Sequence, residues 1–193
     1  MTTTRARPPR IPAQAARLRL PIWQQTQARV RERWGFDLGA SDMLQRVRTL
    51  VAESPTDAER VLLLAAALSL SGDADLAEQQ ARRAVELNPQ LARAHTTLAT
   101  LLVTSAGLSN EESATARREE GLQHARRAAE IDGDDPSVQY NLGIAEWFAG
   151  DRHAARAAFG AAAKALAERE EASADPSAPR SRGRRWWRLG RRD

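Results

Sequence analysis

Apolar positions recur at helical spacing along most of the chain, most regularly in YNLGIAEWFAGDRHAARAAFGAAA, residues 140–163. Tyr140, Leu142, Ile144, Trp147 and Phe148 make one short helix apolar, and Ala154, Ala155, Ala158, Phe159 and Ala162 line one side of a second. Between them stands Gly150-Asp151. Glycine reaches the left-handed conformation that ends a helix, and an aspartate side chain caps the free N–H groups of the next, so the dipeptide predicts a tight joint between two helices. Gly143, Ala155 and Ala162 leave room for those helices to approach, with Phe159 filling the space beside them. A single pair of this size cannot bury its own apolar face and therefore needs neighbours.

The neighbours lie one 34-residue period upstream. Leu64-Ala65, Leu68 and Gly72-Asp73 mark a first helix and joint, and Ala77, Ala81, Ala84 and Pro89 a second helix and its end, making residues 58–91 one unit. Residues 136–169 make another, and residues 92–135 hold a third with ten extra residues inserted, marked by Leu98-Ala99, Leu102, Gly121, Ala125 and Ala128. The pattern resembles the tetratricopeptide repeat of bacterial type, Trp-x-x-Leu-Gly-x-x-Tyr, then Ala-x-x-x-Phe, then Pro. Leu142-Gly143, Ala155-x-x-x-Phe159, Leu64, Ala77 and Pro89 carry the match. Val61, His95 and Gln139 depart from it in the tryptophan slot, Leu68, Leu102 and Glu146 in the tyrosine slot, and Ala167 in the place of the last proline. The resemblance implies an all-α fold, a right-handed α-solenoid of helix-turn-helix repeats, and a binding scaffold.

Outside the repeats the pattern weakens. Residues 1–21 hold five arginines and four prolines with no acid and no apolar h-region, which predicts a basic disordered tail and argues against a secretory signal. A helix is expected from Ile22 to Trp34, ended by Gly35, and another from the Ser41-Asp42 cap to Ser54. Pro55 falls in the slot of a repeat's final proline, so residues 22–55 read as a degenerate repeat closing the stack, within a helical domain of residues 22–171. The insertion SAGLSNEESATARREE, capped at Ser109 or Asn110, predicts a second helix of about 20 residues reaching Ile131. Arg117, Arg118, Glu119, Glu120, Arg126 and Arg127 would make it a charge-paired extension. From Glu168 the chain turns charged and then Ser-, Ala- and Pro-rich, and residues 172–193 read as a flexible linker and an Arg/Trp-rich tail.

Charge is segregated. The net +4 comprises +7 over residues 1–35, −9 over 36–175 and +6 over 176–193, so the pI near 10.7 belongs to the ends and not to the scaffold. All but one of the 29 basic residues are arginine, as GC-rich bacterial coding produces. There is no cysteine, which excludes disulfides, thiolate metal clusters and thiol nucleophiles. The longest apolar run, Val61 to Leu68, is too short to span a bilayer.

Catalytic constellations are missing from the pattern. His95, His124 and His153 lie on different predicted helices without a ligand or carboxylate at metal or dyad spacing, and His95 occupies a packing slot suited to an interhelical hydrogen bond. Adjacent Glu111-Glu112 and Asp134-Asp135 point apart and make poor acid–base pairs. The reading is therefore no enzyme, no cofactor and no metal. The resemblance instead implies a concave groove lined by the first helices of successive repeats. The side chains expected there are Leu62, Ala66, Ser69 and Leu70, then Thr96, Thr100, Val103 and Thr104, then Tyr140, Ile144, Trp147 and Phe148. One branch of the family grips the C-terminal carboxylate of chaperones with Lys, Arg and Asn. Here Leu62, Ala66, Thr97, Ser137 and Asn141 fill those slots, only Asn141 matching, so that activity is not expected.

The expected function is a non-catalytic cytoplasmic adaptor that holds a helical or extended apolar protein segment, its basic tails on an anionic surface such as the inner membrane leaflet. Arg184, Arg185, Trp186, Trp187 and Arg188 are the candidate surface contacts. The same tryptophans could instead cover the last repeat or stack on nucleic acid, and a basic tail on a second copy's acidic scaffold would give a homo-oligomer.

Overall fold

The computed structural model describes residues 12–106 and 111–174 as eight helices: α1 (Ala13–Trp34), α2 (Met43–Glu53), α3 (Ala58–Leu70), α4 (Ala74–Leu87), α5 (Ala92–Ser105), α6 (Glu111–Asp132), α7 (Pro136–Ala149) and α8 (Arg152–Ala174). Aspartates cap three of the repeat helices, α3, α7 and α8. Asp57 accepts from the amides of Glu59 and Arg60, Asp135 from Ser137 and Val138, and Asp151 from His153 and Ala154. Gly150, at φ 97°, ends α7 in the left-handed conformation, so the Gly150-Asp151 joint forms as its residues require.

Helices α3/α4, α5/α6 and α7/α8 pack as antiparallel pairs. The first helices, α3, α5 and α7, also pack on one another in succession, whereas among the described residues α4, α6 and α8 do not pack on one another at backbone range. The stack therefore curves, with α3, α5 and α7 on its concave side. Small residues permit the approach: Ala65, Ala77 and Ala81 are fully buried between α3 and α4, and Ala145, Ala155 and Ala162 between α7 and α8. Gly143 faces the ring of the fully buried Phe159, and a Cβ there would lie 2.5 Å from Phe159 Cε1.

The insertion is absorbed as expected, into a 22-residue α6. Its start is held by a charged lattice in which Arg82 reaches Glu78 and, at 2.5 Å, Glu120, while Arg117 reaches Glu78 and the hydroxyl of Ser105. The candidate caps Ser109 and Asn110 lie outside the described residues.

Three boundaries differ from the sequence reading. Helix α1 begins at Ala13, inside the segment expected to be tail, and runs through Pro21 without interruption. Proline removes one intrahelical donor, and burial of Ala15, Leu18 and Ile22 offsets that loss. Helix α8 continues seven residues beyond Ala167, through a run of good helix formers in which Lys164 pairs with Glu168 and Arg169 with Asp135. Residues 22–55 do not form a repeat-like helix pair: α2 packs on α3, but α1 packs on α7 and α8. Gln27 explains the turn between them, because its amide donates to the Leu38 carbonyl at 2.7 Å and accepts from the Leu38 amide at 2.8 Å, swinging α1 away from α2.

Candidate functional site

Helix α1 crosses the concave side from the first repeat to the last. One stripe of it, Ala15, Leu18 and Ile22, enters the same core as Ala99, Val103, Ile144, Phe159 and Leu166. Further along the helix Arg29 Nη1 donates to Asp135 Oδ2 at 2.9 Å, and Arg33 pairs with Glu59 of α3. At its C-terminal end Val30 and Trp34 pack with Phe36, Leu38, Met43 and Val47.

A second stripe of α1 stays partly uncovered. Ala16, Leu20, Trp23, Val30 and Trp34 form one wall of a cleft of about 770 Å³ whose opposite wall is built by Leu62, Leu63, Ala66 and Leu70 of α3 and Thr97 and Leu101 of α5. The cleft volume is that of a site for a ligand or a short peptide segment. Leu20 is 62%, Leu70 50% and Trp23 39% exposed, and all three border this cleft, so large apolar surface faces water from both walls. Its uncharged polar lining includes Ser69, Thr96, Thr100, Ser137 and Asn141, with Thr100 Oγ1 donating to Asn141 Oδ1 at 3.0 Å.

The expected groove residues divide here. Leu62, Ala66, Ser69, Leu70, Thr96, Thr100 and Tyr140 line the cleft, together with Thr97, Ser137 and Asn141. Val103 and Ile144 do not: both are buried in the core beneath α1. Thr104 is exposed away from the cleft. Trp147 and Phe148 pack half-buried against the core, and the Arg152 guanidinium stacks 3.6 Å from the centre of the Trp147 ring. The α1 side chains were missed altogether. The signal lay in the sequence, since Ala16, Leu20, Trp23, Val30 and Trp34 share one helical stripe, but reading residues 1–21 as tail and 22–55 as a degenerate repeat concealed it.

Two buried carboxylates and a histidine pair lie outside the cleft lining, the first of them, Asp135, joined to it through Arg29. Burial pushes the Asp135 carboxyl up, but Arg29, hydrogen bonding from Ser137, and Arg169 together pull it down to about 2. Burial raises the Tyr140 hydroxyl, against the nearby charge of Arg19. Glu146 is buried, with Oε1 bound to Arg126 at 3.0 Å. His95 is also buried, and its interhelical hydrogen bond is to His124, Nδ1 to Nδ1 at 2.9 Å. The Pro89 carbonyl, 3.1 Å from His95 Nε2, can only accept, so neutral His95 presents Nδ1 as acceptor and the His124 Nδ1–H donates to it. Burial, and next the charge of His95, lowers the His124 pKa. Among the described residues there is no cluster of three metal-ligating side chains, and no helix long and apolar enough to cross a membrane. Arg184, Arg185, Trp186, Trp187 and Arg188 lie outside the described residues.

No protein-family model matches the chain, and no curated protein matches it. Solved structures do. The thermophilic TPR protein TTC0263 of Thermus thermophilus superposes with a TM-score of 0.61 at 19% identity, covering 84% of each chain. A crystal structure of MamA gives a TM-score of 0.53 at 18% identity over 82% of this chain and 88% of that one. A second MamA structure gives 0.50 at 17% identity over 66% of this chain, which spans 64% of its length. The chain has the tetratricopeptide-repeat fold, an α-solenoid of helix-turn-helix units.

Proposed function

We propose that the protein is a non-catalytic adaptor that holds an apolar protein segment, helical or extended, in the cleft between α1 and the inner helices. The observation that carries this reading is the cleft itself: Leu20, Trp23 and Leu70 are left facing water across a gap of about 770 Å³. The repeat fold supports it, since stacked helix pairs present extended concave surfaces suited to binding. The basic termini, including Arg184, Arg185, Trp186, Trp187 and Arg188, bind an anionic surface, the cytoplasmic leaflet of a membrane, and keep the adaptor peripheral to it. Capture from a lysate by the full chain, compared with a Leu20→Glu/Leu70→Glu variant, tests the cleft. Proteins bound by the wild type and released by the variant are expected, and identical bound sets would contradict the reading.

A second reading rests on the seven arginines and two tryptophans of residues 176–193, which also suit phosphate binding with base stacking. Full-length protein and a variant lacking these residues, compared on anionic vesicles and on single-stranded nucleic acid, separate the two. Tail-dependent binding to vesicles alone favours the membrane, and to nucleic acid alone the second reading.

A further inference from the structure

We infer that the segment this cleft holds is an acidic amphipathic helix, with an apolar middle and carboxylates toward both ends; the inference rests on the adaptor reading above. The cleft is lined by four arginines, Arg19, Arg29, Arg33 and Arg93, against one acid, Glu59. That balance is opposite in sign to residues 36–175, which carry −9. The arginines are unequally satisfied. Asp135 holds Arg29 at 2.9 Å. Glu59 is shared between Arg93, at 2.8 Å, and Arg33, at 3.4 Å. Arg19 is exposed and has no hydrogen-bond or ion-pair partner among the described residues, and its charge falls near Tyr140 at the α7 end of the cleft.

The positive groups therefore sit at two ends. Arg19 and Arg33 are fourteen positions apart on one continuous helix, which places them about 21 Å from one another along its axis. Between them α1 offers Leu20, Trp23 and Val30, and α3 answers with Leu62, Ala66 and Leu70. A segment that matches both features carries an apolar stripe about four turns long with acidic residues at either end. A basic helix would cover the same apolar surface but set its cations against Arg19 and the Arg33/Arg93 pair. Three of the four arginines, Arg19, Arg29 and Arg33, come from α1 and not from the inner helices, so this is a different source of cations from the slots at Leu62, Ala66, Thr97, Ser137 and Asn141.

Fluorescence anisotropy with the full chain tests the inference. The probe is a labelled helical peptide, blocked at both termini, with a leucine stripe and glutamates near each end; its twin replaces every glutamate by lysine. At about 150 mM salt, where only close charges still act, the glutamate peptide is expected to bind about tenfold more tightly than its twin. Arg19→Glu is expected to remove most of that preference, with unchanged circular dichroism because Arg19 supports no contact in the fold. Leu20→Glu/Leu70→Glu is expected to abolish binding of both peptides. Equal affinities, or preference for the lysine twin, would overturn the acidic partner while leaving the apolar cleft standing. Binding that survives Leu20→Glu/Leu70→Glu would place the peptide elsewhere and overturn the inference, and failure of both peptides to bind would overturn it together with the adaptor reading.

Discussion

Arg29 and Asp135 are 106 positions apart in sequence and 2.9 Å apart in space, and that contact helps tie the N-terminal helix to the start of α7. Asp135 is the more burdened partner. Its side chain is 6% exposed, and it caps α7 through Ser137 and Val138 while also facing Arg169. A carboxyl held at about 2 in the fold and near its ordinary value in the unfolded chain stabilises the native state by about 2–3 kcal/mol at neutral pH. Because the folded pKa is depressed, this contribution is complete above pH 4 and disappears as the pH falls from about 4 through 2. Asp135→Asn is expected to lose about 2 kcal/mol at pH 7 and almost nothing at pH 2, measured by urea unfolding at both pH values.

His124 gives a second pH dependence of the same sign. His124 sits below its ordinary pKa because burial and His95 disfavour its charge, with Arg82 adding to this and Glu120 opposing it. The unfolded chain then binds the proton first, so stability falls as the pH drops through the ordinary histidine range toward the depressed value. His124→Asn is expected to flatten the change in melting temperature between pH 7 and pH 5. An unchanged slope would show that His124 does not titrate with folding.

Phe159 and Gly143 meet between α7 and α8. Phe159→Ala is expected to cost about 3–5 kcal/mol, because a fully buried ring leaves a cavity between α7 and α8. Gly143→Ala is expected to cost about 1–3 kcal/mol for the opposite reason, since its methyl would overlap the ring. Chemical denaturation of both variants measures the pair. Alanine at both positions together should cost less than the sum, the smaller side chain at 159 making room for the methyl at 143.

The repeats were legible because each rests on local signals. Helical spacing, the Gly150-Asp151 joint and the capping aspartates act within a few residues, and α6 could be extended from the absence of any stop before Ile131. Tyr140 and Leu70 were placed on the concave side because repeat phase fixes which face of a helix points inward. Val103 and Ile144 obey the same phase, yet they are buried, because α1 lies over them. Local signals announce only the second half of that helix, Ile22 to Trp34, and not its course across the repeats. Pro21 and the run of arginines mask Ala15 and Leu18, and only long-range partners such as Ile144, Phe159 and Leu166 give those residues a place to pack. The position of α1 also decides how the protein is to be handled. Trimming the chain to residue 36 would remove one wall of the cleft and three of its arginines.

Helix α1 is expected to contribute to stability as well as to the site. Ile22→Ala should cost about 2–3 kcal/mol, as for other buried aliphatic side chains, and Leu18→Ala about as much. Leu20→Ala, on the uncovered stripe, should change the unfolding midpoint by less than about 0.5 kcal/mol equivalent. Guanidinium titrations of the three variants distinguish the packed face from the open one.

That α1 lies across the concave side and makes it a two-walled cleft is tested most directly by amide hydrogen exchange on the full chain. Protection of residues 17–34 close to that of α3, and weakened when Arg29→Ala removes the tie to Asp135, is the expected result. Exchange of those amides at the rate of an unstructured chain, with α3, α5 and α7 still protected, would contradict it.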